Sequence, residues 1–86
     1  MPQISSFYGI VIMMFFTDHQ PSHFHAKYAE YIAQIRIRDF TIIKGDLPKT
    51  ALKLIKKWGE KHKEELEKNW ELCRQSKKPI KIDPLK

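Results

Sequence analysis

Between His23 and Arg38 the chain alternates apolar and polar side chains twice over, with only Ala29 and Glu30 separating the two runs. In the first run Phe24, Ala26 and Tyr28 oppose His23, His25 and Lys27; in the second Tyr31, Ala33, Ile35 and Ile37 oppose Ile32, Gln34, Arg36 and Arg38. Successive side chains of a strand point to opposite faces, so each run reads as a strand covered on one side. A two-residue turn at Ala29-Glu30 pairs Tyr28 with Tyr31, Ala26 with Ala33 and Phe24 with Ile35. Both apolar sets then share one face, which a one-residue slip would destroy. Ala-Glu suits such a turn poorly, because both central residues would want positive φ, and a looser loop of the same parity serves as well. The same logic at Arg38-Asp39 pairs Ile37 with Phe40 and Ile35 with Ile42. It leaves His23, His25, Lys27, Gln34, Arg36, Arg38 and Thr41 on the outer face.

Upstream, Phe7–Phe16 is apolar on both alternating faces, the pattern of a strand covered on two sides. One cover would be a helix, the other the C-terminal tail or a second subunit in a homodimer. Thr17–Ser22, punctuated by Pro21, is a loop. Downstream, Asp46 and Pro48 suit a helix start. Ala51, Leu54, Ile55, Trp58, Leu66, Trp70 and Cys73 then mark a 3.6-residue apolar stripe reaching about Gln75. Gly59 costs about 1 kcal/mol against alanine in a helix interior, so a kink or break is expected there if anywhere. Ile80, Ile82 and Leu85 lie in an extended tail able to fold back and dock. The expected fold is α+β, one domain over residues 1–86: a four-stranded antiparallel meander (Phe7–Phe16, His23–Tyr28, Tyr31–Arg38, Phe40–Lys44) packed against one long, kinked or continuous C-terminal helix, with an extended C-terminal tail.

Composition narrows the chemistry. A chain of 86 residues with 42% hydrophobic residues can form a core, but a small one. Cys73 stands alone, which excludes an internal disulfide and a zinc site built from several thiolates, and fits a reducing cytoplasm. The apolar run Ile10–Phe16 follows no basic cluster and precedes no small-residue cleavage pattern, so no signal peptide is expected, and it is far shorter than the ~20 residues that span a bilayer as a helix. A cytoplasmic protein without membrane contact is the expectation. The net charge of +6 favours acidic partners, RNA or DNA among them, although a solvated lysine face is the plainer reading. Lys53 and Lys57 repel at i, i+4 in the half of the helix where the macrodipole already disfavours cations.

His23-Phe24-His25 is the strongest local signal for chemistry. Residues i and i+2 of a strand share a face with Cα atoms roughly 6.5 Å apart, close enough for two imidazoles to chelate one ion. His19 or Asp18 from the preceding loop would complete a nitrogen and oxygen set suited to zinc or another divalent transition metal. Equally, two histidines flanked by Lys27, Arg36 and Arg38 could bind phosphates, or cleave RNA with one imidazole as base, the other as acid and the cations holding developing charge. Two surface histidines with local hydrogen bonds are the unremarkable alternative. On the helix, His62, Glu65 and Asn69 fall within the apolar stripe, where polar groups must be hydrogen-bonded or line an opening. That is either a structural network tying helix to sheet or a cleft wall in which His62 is a general acid.

Met1-Pro2-Gln3-Ile4, Phe7-Tyr8-Gly9-Ile10, the segment Asp18-His19-Gln20-Pro21-Ser22-His23-Phe24-His25, Gly45-Asp46-Leu47-Pro48 and Asn69-Trp70-Glu71-Leu72 resemble a compact bacterial family of unknown function over essentially the whole chain. The resemblance implies a partner encoded by a neighbouring gene, in a pair of toxin–antitoxin type, and recurring polar residues at Asp18, His19, His23, His25, His62, Glu65 and Asn69. The reading that follows is a small bacterial protein contacting nucleic acid through Lys27, Arg36, Arg38, Lys53 and Lys57, with RNA cleavage by His23 and His25 aided by Arg36 and His62. A metal-binding protein using Asp18, His19, His23 and His25 is the alternative, and a non-catalytic protein-interaction adaptor the third.

Overall fold

The computed structural model describes residues 2–86. Five strands, β1 (Gln3–Phe7), β2 (Ile10–Met13), β3 (His23–Tyr28), β4 (Tyr31–Arg36) and β5 (Ile42–Gly45), form an antiparallel sheet in the order of the chain, followed by helices α1 (Lys49–Lys61) and α2 (Lys63–Arg74). This corrects the expected four strands and one long helix. No helix of the described residues is long and apolar enough to cross a membrane.

Phe7–Phe16 is not one strand. Tyr8 and Gly9 both take positive φ, 49° and 79°, and make a two-residue turn that pairs Phe7 with Ile10. Positive φ at both central positions matches the right-handed twist of the flanking strands, and glycine reaches that region without steric cost. The run joins the end of β1 to the whole of β2, and within β2 it is apolar on both faces because Val11 and Met13, opposite the buried Ile10 and Ile12, are themselves partly buried. β3 and β4 pair in the register that parity required, Tyr28 with Tyr31, Ala26 with Ala33 and Phe24 with Ile35. The loop is indeed Ala29-Glu30, with positive φ at Ala29 (52°) alone of the two.

The next connection is longer than Arg38-Asp39. β4 ends at Arg36, and Arg36 N donates to Thr41 O at 2.9 Å. Phe40, at φ 58°, then sends its ring under α1. Ile35 still pairs with Ile42, after a register shift between Gln34 and Ile35. Gly45, at φ 86°, closes β5 tightly on β4. A Cβ there would run into the Ile32 carbonyl and lie 3.0 Å from Ala33 Cα.

The helical stripe is interrupted at His62 (φ −122°, ψ 23°), not at Gly59, which is a buried residue of α1. Gly59 is needed for contact rather than for bending: a Cβ on it would collide with the Phe40 ring. Glu64 and Glu65 in the first turn of α2 complement the new N-terminal dipole. Asp46 does not cap α1. Its Oδ1 accepts from Leu47 N at 2.9 Å, and Pro48 occupies the cap position without a side-chain bond.

The core lies between the inner sheet face and the helices. Trp58, fully buried, packs on Phe7 (centroids 5.2 Å) and edge-on to Phe24 (6.0 Å). Ile10, Ile12, Ala26, Ile35, Ile55 and Leu66 belong to the same buried cluster. Each large aliphatic side chain removed from water here contributes about 1.5–3 kcal/mol, which the entropy of ordering the chain largely offsets. The tail crosses the edge of β1, where Ile82 N donates to Ile4 O at 2.8 Å and Ile82 is buried. Ile80 does not dock; it is 56% exposed.

Candidate metal centre

The β2–β3 connection passes the last turn of α2, where Thr17 N donates to Cys73 O at 2.9 Å, and this tie sets Asp18 over the start of β3. Asp18 accepts the His19 backbone N–H on Oδ1 (2.9 Å) and turns Oδ2 toward His23. His23 and His25 project from the same side of β3, ring centroids 5.3 Å apart. They are not on an open surface. His23 is 1% exposed, with Trp70 of α2 against it at 5.1 Å, and His25 is 9% exposed, with Phe15 edge-on at 4.2 Å. Those two aromatic covers come from chain segments whose own patterns carry no sign of the contact.

The hydrogen bonds of His23 settle its tautomer. Nδ1 lies 2.7 Å from Pro21 O, and a carbonyl oxygen can only accept, so Nδ1 carries a proton. Nε2 faces Asp18 Oδ2 at 3.0 Å. It either donates there as an imidazolium nitrogen or offers its lone pair to a cation that the carboxylate shares. His25 makes no hydrogen bond to the described residues through either nitrogen, and its Nδ1 is buried without a partner. Burial, then the nearby His23 ring, hold the His25 pKa below its ordinary value although Asp18 pulls it up, so the ring is neutral at neutral pH. For Asp18, burial pushes the pKa up. The His19 N–H and the surrounding imidazoles outweigh that and leave it lowered, so the carboxylate is ionised.

One donor atom from each of Asp18, His23 and His25 lies within 4.8 Å of the others. His19, 75% exposed in its side chain, is not of that set; its Nδ1 pairs with Asp18 Oδ1 at 2.9 Å on the solvent side.

The remaining residues singled out by sequence are dispersed. Arg36 pairs with His23 in the sheet register, but its guanidinium forks onto Asp39 through Nε (3.0 Å) and Nη2 (2.7 Å). Arg38 is exposed, and its carbonyl accepts from Lys63 Nζ at 2.8 Å. Lys27 stands on the outer sheet face, whereas Lys53 and Lys57 face solvent on α1, across the sheet from it. His62 pairs with Glu65 at 2.7 Å on the helix junction. Asn69, 1% exposed, clamps the backbone of Ile80 in both directions, Nδ2 donating to O at 2.8 Å and Oδ1 accepting from N at 2.9 Å, a structural tie to the tail. With Glu65 it also lines a recess of about 180 Å³, and His62 and Glu65 line a wider one of about 680 Å³. Sequence reading missed the Pro21 carbonyl and Lys44, which the parity of β5 places in line with Gln34 and His25.

A family model described as "Domain of unknown function (DUF4160)" matches residues 9–71. No curated protein and no solved structure matches the chain.

Proposed function

We propose that this chain, which belongs to the family described as Domain of unknown function (DUF4160), binds one divalent transition-metal ion through Asp18, His23 and His25. The observation that carries the reading is the convergence of three donor atoms within 4.8 Å, two of them imidazole nitrogens and one a carboxylate oxygen. His23 has its Nδ1 proton committed to Pro21, the outer hydrogen bond that commonly orients a ligating imidazole and leaves Nε2 for the metal. His25 is neutral and has a nitrogen that protein groups leave unpaired. Asp18 supplies a charge to offset the cation.

A two-nitrogen, one-oxygen set suits zinc, with nickel and copper as competitors of equal or higher intrinsic affinity. Three protein ligands leave a position for water, for an exogenous ligand or for His19 after rotation away from Asp18. The same burial argues against His23 as a base acting on RNA directly, because a ring 1% exposed and engaged at both nitrogens cannot reach a ribose hydroxyl.

Untagged protein stripped of metal and titrated with zinc in a calorimeter should take up one equivalent, and Asp18→Asn, His23→Ala and His25→Ala should each weaken uptake at least tenfold. Uptake by the wild type no greater than by a His23→Ala/His25→Ala double variant would remove the proposal.

A further inference from the structure

Beside the three-ligand cluster, on the outer face of the sheet, lies a recess of about 170 Å³ lined by His25, Ile32, Ala33, Gln34, Lys44 and Gly45. At nearly six times the ~30 Å³ that one water occupies in the liquid, it has room for a small polyatomic ion. Register explains its composition. His25, Gln34 and Lys44 pair in sequence across β3, β4 and β5, so their side chains leave the same face in one row, with strands roughly 4.8 Å apart. The tight closure of β5 at Gly45 brings Lys44 into that row.

The row is one of donors. Lys44 brings an ammonium group and Gln34 an amide, and neither forms an ion pair or side-chain hydrogen bond among the described residues. No carboxylate lines the recess. His25 adds a sharper requirement. A neutral imidazole has one lone-pair nitrogen and one N–H. With the lone pair on a metal, the other nitrogen must carry the proton, and ligating histidines nearly always give that proton to an acceptor. The described residues provide His25 with none. An anionic oxygen in the recess would be that acceptor.

We infer that this recess takes a phosphate group, held by Lys44, Gln34 and the free N–H of His25 next to the metal. The inference rests on the metal reading for the role of His25, while Lys44 and Gln34 stand apart from the three ligands. Its donors come from three neighbouring strands, and a phosphate has an oxygen to offer each of them where a carboxylate has only two in all. The phosphate has two sources of the same chemistry, a free phosphate monoester or the backbone of a single-stranded RNA, and a net charge of +6 favours the approach of either.

The test uses the full chain, metal-free and zinc-loaded, titrated with inorganic phosphate and, separately, with a short single-stranded RNA lacking terminal phosphates. Zinc content is measured on every sample. Saturable 1:1 phosphate binding is expected, weakened at least tenfold in Lys44→Glu and severalfold in Gln34→Ala, with zinc stoichiometry unchanged in both. Lys56→Glu, the same charge change on the solvent face of α1, should bind as the wild type does. Competition of the RNA with phosphate assigns the site to a nucleic-acid backbone; RNA that fails to compete assigns it to a free phosphate. No saturable binding of either probe at millimolar concentration, or equal loss in Lys44→Glu and Lys56→Glu, overturns the inference. Phosphate binding that depends on Lys44 in protein that takes up no zinc would keep the recess as a phosphate site and refute the metal reading alone.

Discussion

Nδ1 of His23 donates to the carbonyl oxygen of Pro21 at 2.7 Å, and this bond determines which ring nitrogen can face Asp18. Because the acceptor is backbone, it persists with or without a metal. Long-range nitrogen–proton spectra should therefore show a protonated Nδ1 on His23 in both metal-free and zinc-loaded protein, with zinc moving the Nε2 resonance most. A spectrum with Nδ1 bare would mean that the ring is turned and the cluster is not a chelate.

His25 gives the metal-free protein a predictable pH dependence. Its folded pKa lies below the ordinary 6.5, from burial first and the His23 ring second. Above 6.5 neither the folded nor the unfolded ring binds a proton, and the contribution is fully present. As pH falls below 6.5 the unfolded chain takes up a proton that the folded ring refuses, so stability is lost down toward the folded pKa. Urea midpoints of the metal-free wild type should fall between pH 7 and pH 5 more steeply than those of His25→Gln. Parallel slopes would show that His25 is hydrated in solution.

The parts of this site that follow from strand geometry were legible in the sequence, and the parts that depend on distant covers were not. Parity alone gave the pairing of β3 with β4, and with it the shared side of His23 and His25 beside Arg36 and Gln34. It could not give their burial, because Trp70 and Phe15 reach them through the path of the β2–β3 connection and the placement of α2. The β1–β2 hairpin was missed although Gly9 marked it: apolar residues on both sides of the turn hid the change of direction. Arg36 looked like a free cation in the pattern. Asp39, three residues on, neutralises it only because the chain turns after β4, and that bond holds the Asp39 carboxyl well below the usual range.

Gly59 and Phe40 form a second relationship with a measurable consequence. Alanine should gain about 1 kcal/mol over glycine inside a helix. Here its Cβ would meet the Phe40 ring, with Cζ at 2.8 Å, while Phe40 itself is held at positive φ and 5% exposed. Overpacking of this kind costs roughly 1–3 kcal/mol, so Gly59→Ala should destabilise the protein in spite of its helix propensity. In a Phe40→Ala background the same change should become stabilising, since the obstacle is gone. A double-mutant cycle on chemical denaturation measures the reversal; equal effects in both backgrounds would show that Phe40 does not lie over the helix.

The clamp between Asn69 and Ile80 allows a test by charge. Asn69 donates to the Ile80 carbonyl and accepts from its N–H, and this bond, with Trp58 Nε1 to Asp83 O at 2.8 Å, anchors the tail along β1. Asn69→Ala removes partners from both Ile80 groups and should cost about 1–3 kcal/mol. Asn69→Asp keeps the acceptor but sets a carboxylate oxygen against the Ile80 carbonyl, in a side chain that was 1% exposed. At neutral pH it should be at least as damaging as alanine. Protonation restores a donor, so the deficit of Asn69→Asp relative to wild type should shrink as pH is lowered, whereas that of Asn69→Ala should not. Proteolysis of the C-terminal segment, followed by mass spectrometry at several pH values, reads tail release directly, and a tail released equally from all three proteins would mean that Asn69 does not hold it.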